Sequence, residues 1–475
     1  MARWRRIGIS FNKLVRAPFR LKLGIRATSA GGKQSTSTLA SPMQRSDPIV
    51  TPAEFLDAEP DGLDAIVSVV IPTLNAGCEF PLLLKKLKSQ KGLRKVEIII
   101  VDSGSSDDTV ELACREQCNV VSIDKVKFSH SYARNKGAEI ASGDYILFMV
   151  QDAYPIGDYW LARLVHGLRG AAPQGLVALS CAEFPRADTE LFYNVMIDIH
   201  YKFLGCADQD RVGAFRGDGH VALRQQGQLS DVACLISRDV FDRYKYHGRY
   251  AEDLLLGVQL IKDGHKVAMI SNLRVVHSHN RSQGYYLRRA FVDVVFLVAA
   301  FPDHPIPPVQ RLAGILTAAT VLGQHITERK LETGLDADRF LSQLIGGLRD
   351  LQLPSQAVSF TSAISCDHSP FQSWLEHCES ENSRPSPILS DEERRTAITA
   401  RDMFCDRLRG LQDFARGVYP VADESIARQF NDAIQKSLAM SLGAHLAFAY
   451  LRRSEMPKVD TMKLEKLMPL MIEDI

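Results

Sequence analysis

The sequence has little that would carry it into a membrane or a secretory route. Among its 475 residues there is no run of about 20 apolar positions, so no spanning helix is expected. The nearest approach, Val294 to Phe301, is too short and stops at Pro302. The N-terminus lacks the continuous apolar core of a signal peptide. Nine cysteines are scattered without zinc-like pairs of pairs, and Cys114 and Cys118, one helical turn apart, read as helix-lining thiols. An odd count without secretory features points to reduced thiols in a cytosol. A charge of one sign is missing too: the formal net charge is +1, which gives no global argument for a nucleic-acid partner. No internal repeat is found.

What is there is ordinary in bulk: 45% hydrophobic and 24% charged residues, the balance of a soluble globular chain of two or three domains. The charge is uneven, however. Arg3, Arg5, Arg6, Lys13, Arg16, Arg20, Lys22 and Arg26 face no acid before Asp47, and large apolar residues are interleaved with them. Such a segment can lie on an anionic membrane surface; a disordered tail or a transit peptide is the alternative. A cytoplasmic protein, peripheral at the inner face of the cytoplasmic membrane through residues 1–26, is the expectation. Residues 27–46 are rich in Ser, Thr, Gly and Ala and read as a linker. The expected organisation is therefore a basic segment and linker over 1–46, an α/β domain over 47–290 and a helical domain over 291–475.

The α/β expectation rests on alternation. Val67–Ile71, Val96–Val101, Val120–Ile123 and Tyr145–Val150 read as strands; Glu79–Gln90, Asp107–Gln117, Ser131–Ala141 and Asp158–Arg169 read as the helices between and after them. This order implies βαβ units and a mostly parallel, Rossmann-like sheet. In the first helix Leu82, Leu83, Leu84 and Leu87 are expected to face the core. Residues 176–182 and 232–237 read as further strands, and 203–230, rich in Gly, Gln, Asp and Arg, as a mobile loop. Glu252–Lys262 is a helix, followed by short strands at Lys266–Ile270 and Arg274–His277. Beyond residue 285 only helical patterns remain, over Val309–Lys330, Asp336–Leu351, Asp391–Gly417 and Glu424–Arg453. Their apolar stripes must be buried against the α/β domain or a second copy of the chain, so a homo-oligomer is one expectation.

Chemistry concentrates at the expected strand ends. Ligands in open α/β sheets sit beyond the carboxyl ends of strands. Strand one ends in Pro72-Thr73-Leu74-Asn75, strand two in Asp102-Ser-Gly-Ser-Ser-Asp107, and the fourth in Gln151-Asp152. A carboxylate such as Asp102 can accept the ring N–H of uracil or thymine; an Asx-turn is its bland alternative. Asp152 can hold a divalent cation against a diphosphate, or merely cap the following helix. Arg134, near a helix start, suits a phosphate or base edge. His277 and His279, two apart, share a face of an extended chain and can complete a Mn²⁺ or Mg²⁺ site with Asp152. Glu252 and Asp253 open a helix, where acids are favoured in any case.

Taken together, Val69-Val-Ile-Pro-Thr-Leu-Asn75, Val101-Asp-Ser-Gly-Ser-Ser-Asp-Asp-Thr109, Ala133-Arg-Asn-Lys-Gly137, Gln151-Asp-Ala153, Ala251-Glu-Asp253 and Val276-His-Ser-His-Asn280 resemble family 2 glycosyltransferases of the GT-A fold. Residues 66–290 carry the resemblance, and the Gln-Asp-Ala and His-Ser-His forms look most like the bacterial rhamnosyltransferase branch. The resemblance implies nucleotide binding through Pro72, Thr73, Asn75, Asp102, Arg134 and Gln151. It implies metal binding through Asp152, with His277 favoured over His279 as a further ligand, and catalysis by Asp253 as general base beside Glu252. The chain departs from the family's Asp-X-Asp motif at its first position, where Val150 stands, and Gln151 is a partial substitute. The implied activity is inverting transfer of a sugar from a nucleotide-diphosphate donor, dTDP-rhamnose or a UDP-sugar. The acceptor would be a glycan or lipid-linked glycan in bacterial surface polysaccharide synthesis. A non-catalytic GT-A-like scaffold working through its helical C-terminus is the alternative. A nucleotidyltransferase fits less well, because no Gly-rich, Arg/Lys-containing loop follows the first strand.

Overall fold

A computed structural model describes residues 62–307, 310–356, 369–380 and 388–472. The basic segment and linker at 1–46 lie outside the described residues. Nine strands form one sheet: β1 Leu63–Thr73, β2 Leu93–Asp102, β3 Asn119–Ser122, β4 Tyr145–Met149, β5 Tyr154–Pro155, β6 Leu176–Phe184, β7 Arg211–Gly213, β8 Ala233–Ser237 and β9 Lys266–Val276. The order is β3-β2-β1-β4-β8-β6-β9-β5, with β7 also on β9. Strands β1 to β4 pair in parallel. Beyond β4 the sheet is mixed: β8 runs antiparallel between β4 and β6, and β9 is parallel to β6. The two short strands expected at 266–277 are one strand, irregular where its partner passes Cys181 to Ala182.

The α/β half contributes α1 Phe80–Lys88, α2 Thr109–Arg115, α3 His130–Ile140, α4 Trp160–Ala171, α5 Leu191–Leu204, α6 His220–Gly227, α7 Arg238–Tyr244 and α8 Glu252–Lys262. Strands β1, β2 and β4 are apolar on both faces because helices cover both; Val69, Val70, Ile99, Ile100, Leu147 and Phe148 are fully buried. Ser68 sits in the middle of β1 without penalty, since its hydroxyl bonds Glu97 at 2.5 Å and accepts from the Gly143 N–H at 2.8 Å. In α1 the buried set is Phe80, Leu83, Leu84 and Leu87, whereas Leu82 is 47% exposed. The helix starts one residue later than its pattern suggested, and Phe80 takes the inward position.

Residues 203–230 are not a loop. They hold the end of α5, β7 and α6, packed around a buried Arg211 whose guanidinium donates to the carbonyls of Gln225 and Gln228. Two of the glycines that suggested a loop, Gly213 and Gly227, are close contacts. A Cβ on Gly227 would sit 2.8 Å from the Val258 backbone nitrogen of α8.

The helical half comprises α9 Gln283–Ala300, α10 Leu312–Glu328, α11 Ala337–Asp350, α12 Ser369–Ser380, α13 Asp391–Ala415, α14 Glu424–Leu451, α15 Lys458–Glu465 and α16 Leu467–Met471. Helix α13 begins with a full capping box between Ser390 and Glu393. Leu312, Ile315, Leu316, Leu438, Met440, Leu442 and Leu446 are all buried. The helical half closes on the α/β half: Lys436 of α14 reaches Glu190 at 2.5 Å, and Gln429 accepts from the Leu191 N–H at 3.2 Å. The described residues form one compact unit. Among the described residues no helix is long and apolar enough to cross a membrane.

Candidate active site

Topology brings the candidate residues to one edge. The parallel strands β1, β2 and β4 end there with Thr73, Asp102 and Asp152. Because β8 is antiparallel to β4, with Ala233 opposite Met149, its beginning lies at that edge and delivers Asp231. Strands β6 and β9 end there as well, with Phe184 opposite Val276; Tyr154 pairs with Val276 from the other side. Asp152 and His277 are thereby neighbours although 125 residues separate them.

Asp152, His277 and His279 converge, with one ligand atom of each within 4.8 Å of the others. His277 Nε2 is 3.6 Å from one Asp152 oxygen, and His279 Nδ1 is 3.6 Å from the other. Behind them stands Glu183, which the sequence reading missed. It is buried at the end of β6 and holds His277 Nδ1 at 2.6 Å. Tyr193 of α5 donates its hydroxyl to the same Glu183 oxygen at 2.6 Å. Burial would raise the Glu183 carboxyl, but the hydrogen bonds from His277 and Tyr193 outweigh it and hold it below the usual range. With Nδ1–H directed at Glu183, His277 turns Nε2 toward Asp152 and His279, 3.1 Å from His279 Nε2, the arrangement of a carboxylate–histidine–metal triad. Burial and the field of His277 push His279 down to about 4, so its imidazole is neutral and able to ligate. One carboxylate and two imidazoles suit Mn²⁺ better than all-oxygen Mg²⁺. Asp152 caps no helix, since α4 starts at Trp160 with Tyr159 as its cap.

The second cluster surrounds Arg134. Its guanidinium is buried between Glu252 and Asp231, the latter at 3.2 Å. Tyr246 donates its hydroxyl to Asp231. The Ala-Arg-Asn-Lys-Gly motif is thus a framework. Asn135 clamps the Tyr246 backbone through both its amide atoms, at 2.9 and 3.1 Å. Gly137 lets α3 lie flat on the sheet, where a Cβ would meet Val70 Cγ1 at 2.3 Å. The expectation that Arg134 reaches the nucleotide therefore meets a side chain already enclosed by carboxyls. Helix α8 is entered through Ala251 at φ 47°, a left-handed conformation costly for a residue with a Cβ. That turn presents Glu252 inward and leaves Asp253 partly exposed. Asp253 accepts from the Leu254 N–H at 2.7 Å and the Asp231 N–H at 3.4 Å. Burial, then the negative field of Glu252, raise its carboxyl to about 6. The Asp231 carboxyl is raised as well, chiefly through burial.

The base-side residues are knitted together. Asp102 accepts from Thr73 Oγ1 at 3.1 Å, Ser105 Oγ at 2.5 Å and the Gly104 and Ser105 N–H groups at 2.9 and 3.0 Å. Four donors fill the four lone-pair directions of a carboxylate. Asp102 therefore makes the Asx-turn, and a base N–H would have to displace one of these donors. Pro72 lies opposite Val101 in the β1–β2 ladder. Asn75, at φ 48°, accepts from the Ser106 N–H at 2.7 Å. The Gln151 amide bonds both backbone groups of Leu74, at 2.9 and 3.2 Å. It bridges the ends of β1 and β4 where the strand order reverses, as an extra rung of the sheet.

Residues 68–189 match the model of glycosyl transferase family 2, and over that stretch the chain is similar to that family. It is 28% identical over 243 residues to the O-antigen chain rhamnosyltransferase RfbN of Salmonella typhimurium, covering 48% of this chain and 72% of the relative. It is 24% identical over 237 residues to the O-antigen chain rhamnosyltransferase WbaN of Salmonella anatum, covering 48% and 71%. A mannosyltransferase from Pyrobaculum calidifontis, solved with GDP-mannose and Mn²⁺, aligns at 19% identity and a TM-score of 0.39, over 76% of this chain and 93% of that one.

Proposed function

We propose that the chain transfers a sugar, with inversion, from a nucleoside-diphosphate donor to a hydroxyl of a glycan or lipid-linked glycan in bacterial surface polysaccharide synthesis. Residues 47–290 are the catalytic part, and the helices beyond 291 contribute no group to the bond-breaking step. The observation that carries the reading is the Asp152–His277–His279 cluster, backed by Glu183, on the sheet edge that also holds Asp253. The names of the two Salmonella relatives favour dTDP-rhamnose as donor over a UDP-sugar.

Asp253 takes the proton of the acceptor hydroxyl. That oxygen attacks the anomeric carbon, the bond from that carbon to the diphosphate oxygen breaks, and the nucleoside diphosphate leaves. Burial, together with the field of Glu252 held by Arg134, keeps the Asp253 carboxyl high enough to act as a base near neutrality. Mn²⁺ or Mg²⁺, held by Asp152, His277 and His279, would supply positive charge to the departing diphosphate. Pro72, Thr73, Asn75, Asp102 and Gln151 shape the edge on which the base and ribose lie.

The test is turnover of radiolabelled dTDP-rhamnose and UDP-hexoses by purified protein with Mn²⁺, with D253N as control. Release or transfer of sugar by wild type alone supports the reading. Tight nucleotide binding with no turnover in either protein supports the scaffold instead.

A further inference from the structure

Beside the acid–base cluster, α6, α9 and α13 carry a group of charged side chains that the proposed reaction leaves unused. Its centre is Asp293 of α9. One Asp293 oxygen accepts from the Tyr250 hydroxyl and from Arg289 Nε at 3.2 Å. The Arg289 guanidinium also lies over the Tyr250 ring, 5.0 Å from its centroid. Two further arginines reach the same acid only through its field: Arg224 of α6 and Arg407 of α13. Arg224 stacks on the Phe203 ring at 5.0 Å. Neither guanidinium hydrogen-bonds or ion-pairs within the described residues, and Arg407 Nε is buried with no partner at all. Helix α13 is pressed onto α5 one turn further along, where a Cβ on Gly410 would sit 2.7 Å from Ile199 Cδ1.

Three guanidinium charges against one carboxylate leave two positive charges uncompensated, and His200 close by is kept neutral by burial. A buried arginine without a partner is costly, so the arrangement is suited to an anion brought by a ligand. Solvent reaches the place, since the Arg289 and Asp293 side chains are 45% and 39% exposed. The charged group also adjoins the chemistry. Tyr250, bound to Asp293, is three residues before Asp253, and His130 at the start of α3 lies in the fields of Arg134, Glu252 and Arg289 together.

We propose that Arg224, Arg289 and Arg407 form an anion subsite that binds a phosphate or diphosphate ester carried by the acceptor, placing the acceptor's hydroxyl at Asp253. A phosphate ester carries up to two negative charges and offers several oxygens for planar guanidinium donors; a sugar carboxylate would leave one cation unanswered. The subsite rests on the reading of the protein as a glycosyltransferase, but it can be tested without turnover.

The full chain in EDTA is titrated calorimetrically with geranyl diphosphate and, separately, with inorganic pyrophosphate. UDP with Mn²⁺ is titrated in parallel. Wild type binds geranyl diphosphate without metal. R224Q and R289Q, on half-exposed and exposed side chains, each weaken it about tenfold, and D293N tightens it. UDP–Mn²⁺ binding is unchanged in all three. Tighter binding of geranyl diphosphate than of pyrophosphate identifies a lipid-linked source; equal binding identifies the bare phosphate group. Unaltered geranyl diphosphate affinity in R224Q and R289Q overturns the subsite, as does binding that needs Mn²⁺. Loss of UDP binding with metal-free diphosphate binding retained would sink the donor reading and leave the subsite standing.

Discussion

Glu183 holds His277 Nδ1 at 2.6 Å from the end of the neighbouring parallel strand. The contact fixes the tautomer and the ring plane of the histidine that faces Asp152. Glu183→Gln should therefore weaken Mn²⁺ binding by about 10–100-fold, the usual cost of losing such an outer partner. Electron paramagnetic resonance titration of free Mn²⁺ reads this directly. An unchanged affinity would make Glu183 a packing residue only.

Asp253→Asn should lower the transfer rate by about 10²–10⁴-fold and leave UDP–Mn²⁺ affinity near wild type. The base must be ionised to accept a proton, and its carboxyl stands at about 6. The rate should accordingly fall as pH drops through about 6 and level off above it. A pH–rate profile of kcat/KM gives the answer; a limb near 4, the ordinary carboxylate range, would remove Asp253 from that role.

Arg134→Gln should destabilise the fold by about 3–5 kcal/mol, because it leaves Glu252 and Asp231 buried without their cation. Urea unfolding at pH 7 measures it. A loss below about 1 kcal/mol would show that water or protonation replaces the guanidinium with ease.

Gln151→Ala should cost only about 1 kcal/mol, the worth of the Leu74 rung, without changing Mn²⁺ affinity. A large loss of metal binding would restore Gln151 as a substitute for the acid that Val150 replaces.

The sequence made the βαβ half legible because apolar runs and polar turns follow one another at regular spacing. The meeting of Asp152 with His277 and His279 could be anticipated from motif order. Glu183 could not: it ends an apolar strand as a lone acid, and only the β6–β9 pairing brings it to His277. Asp231 was hidden likewise, two residues before an ordinary strand, and takes its place because β8 runs antiparallel to β4. Arg134 read as an open cation since a single arginine carries no sign of the two acids that enclose it from residues 231 and 252. The stretch 203–230 was misleading because glycine marks close helix contact as well as turns. Gly227 against Val258 is the first case, and composition alone does not separate the two.

The most direct test is calorimetric titration of UDP and dTDP into wild type and Asp152→Ala, each with and without Mn²⁺. The account predicts that Mn²⁺ tightens nucleotide binding at least about tenfold in wild type, a coupling of about 1.4 kcal/mol, and has no effect in the variant. The same Mn²⁺ enhancement in both proteins would contradict it.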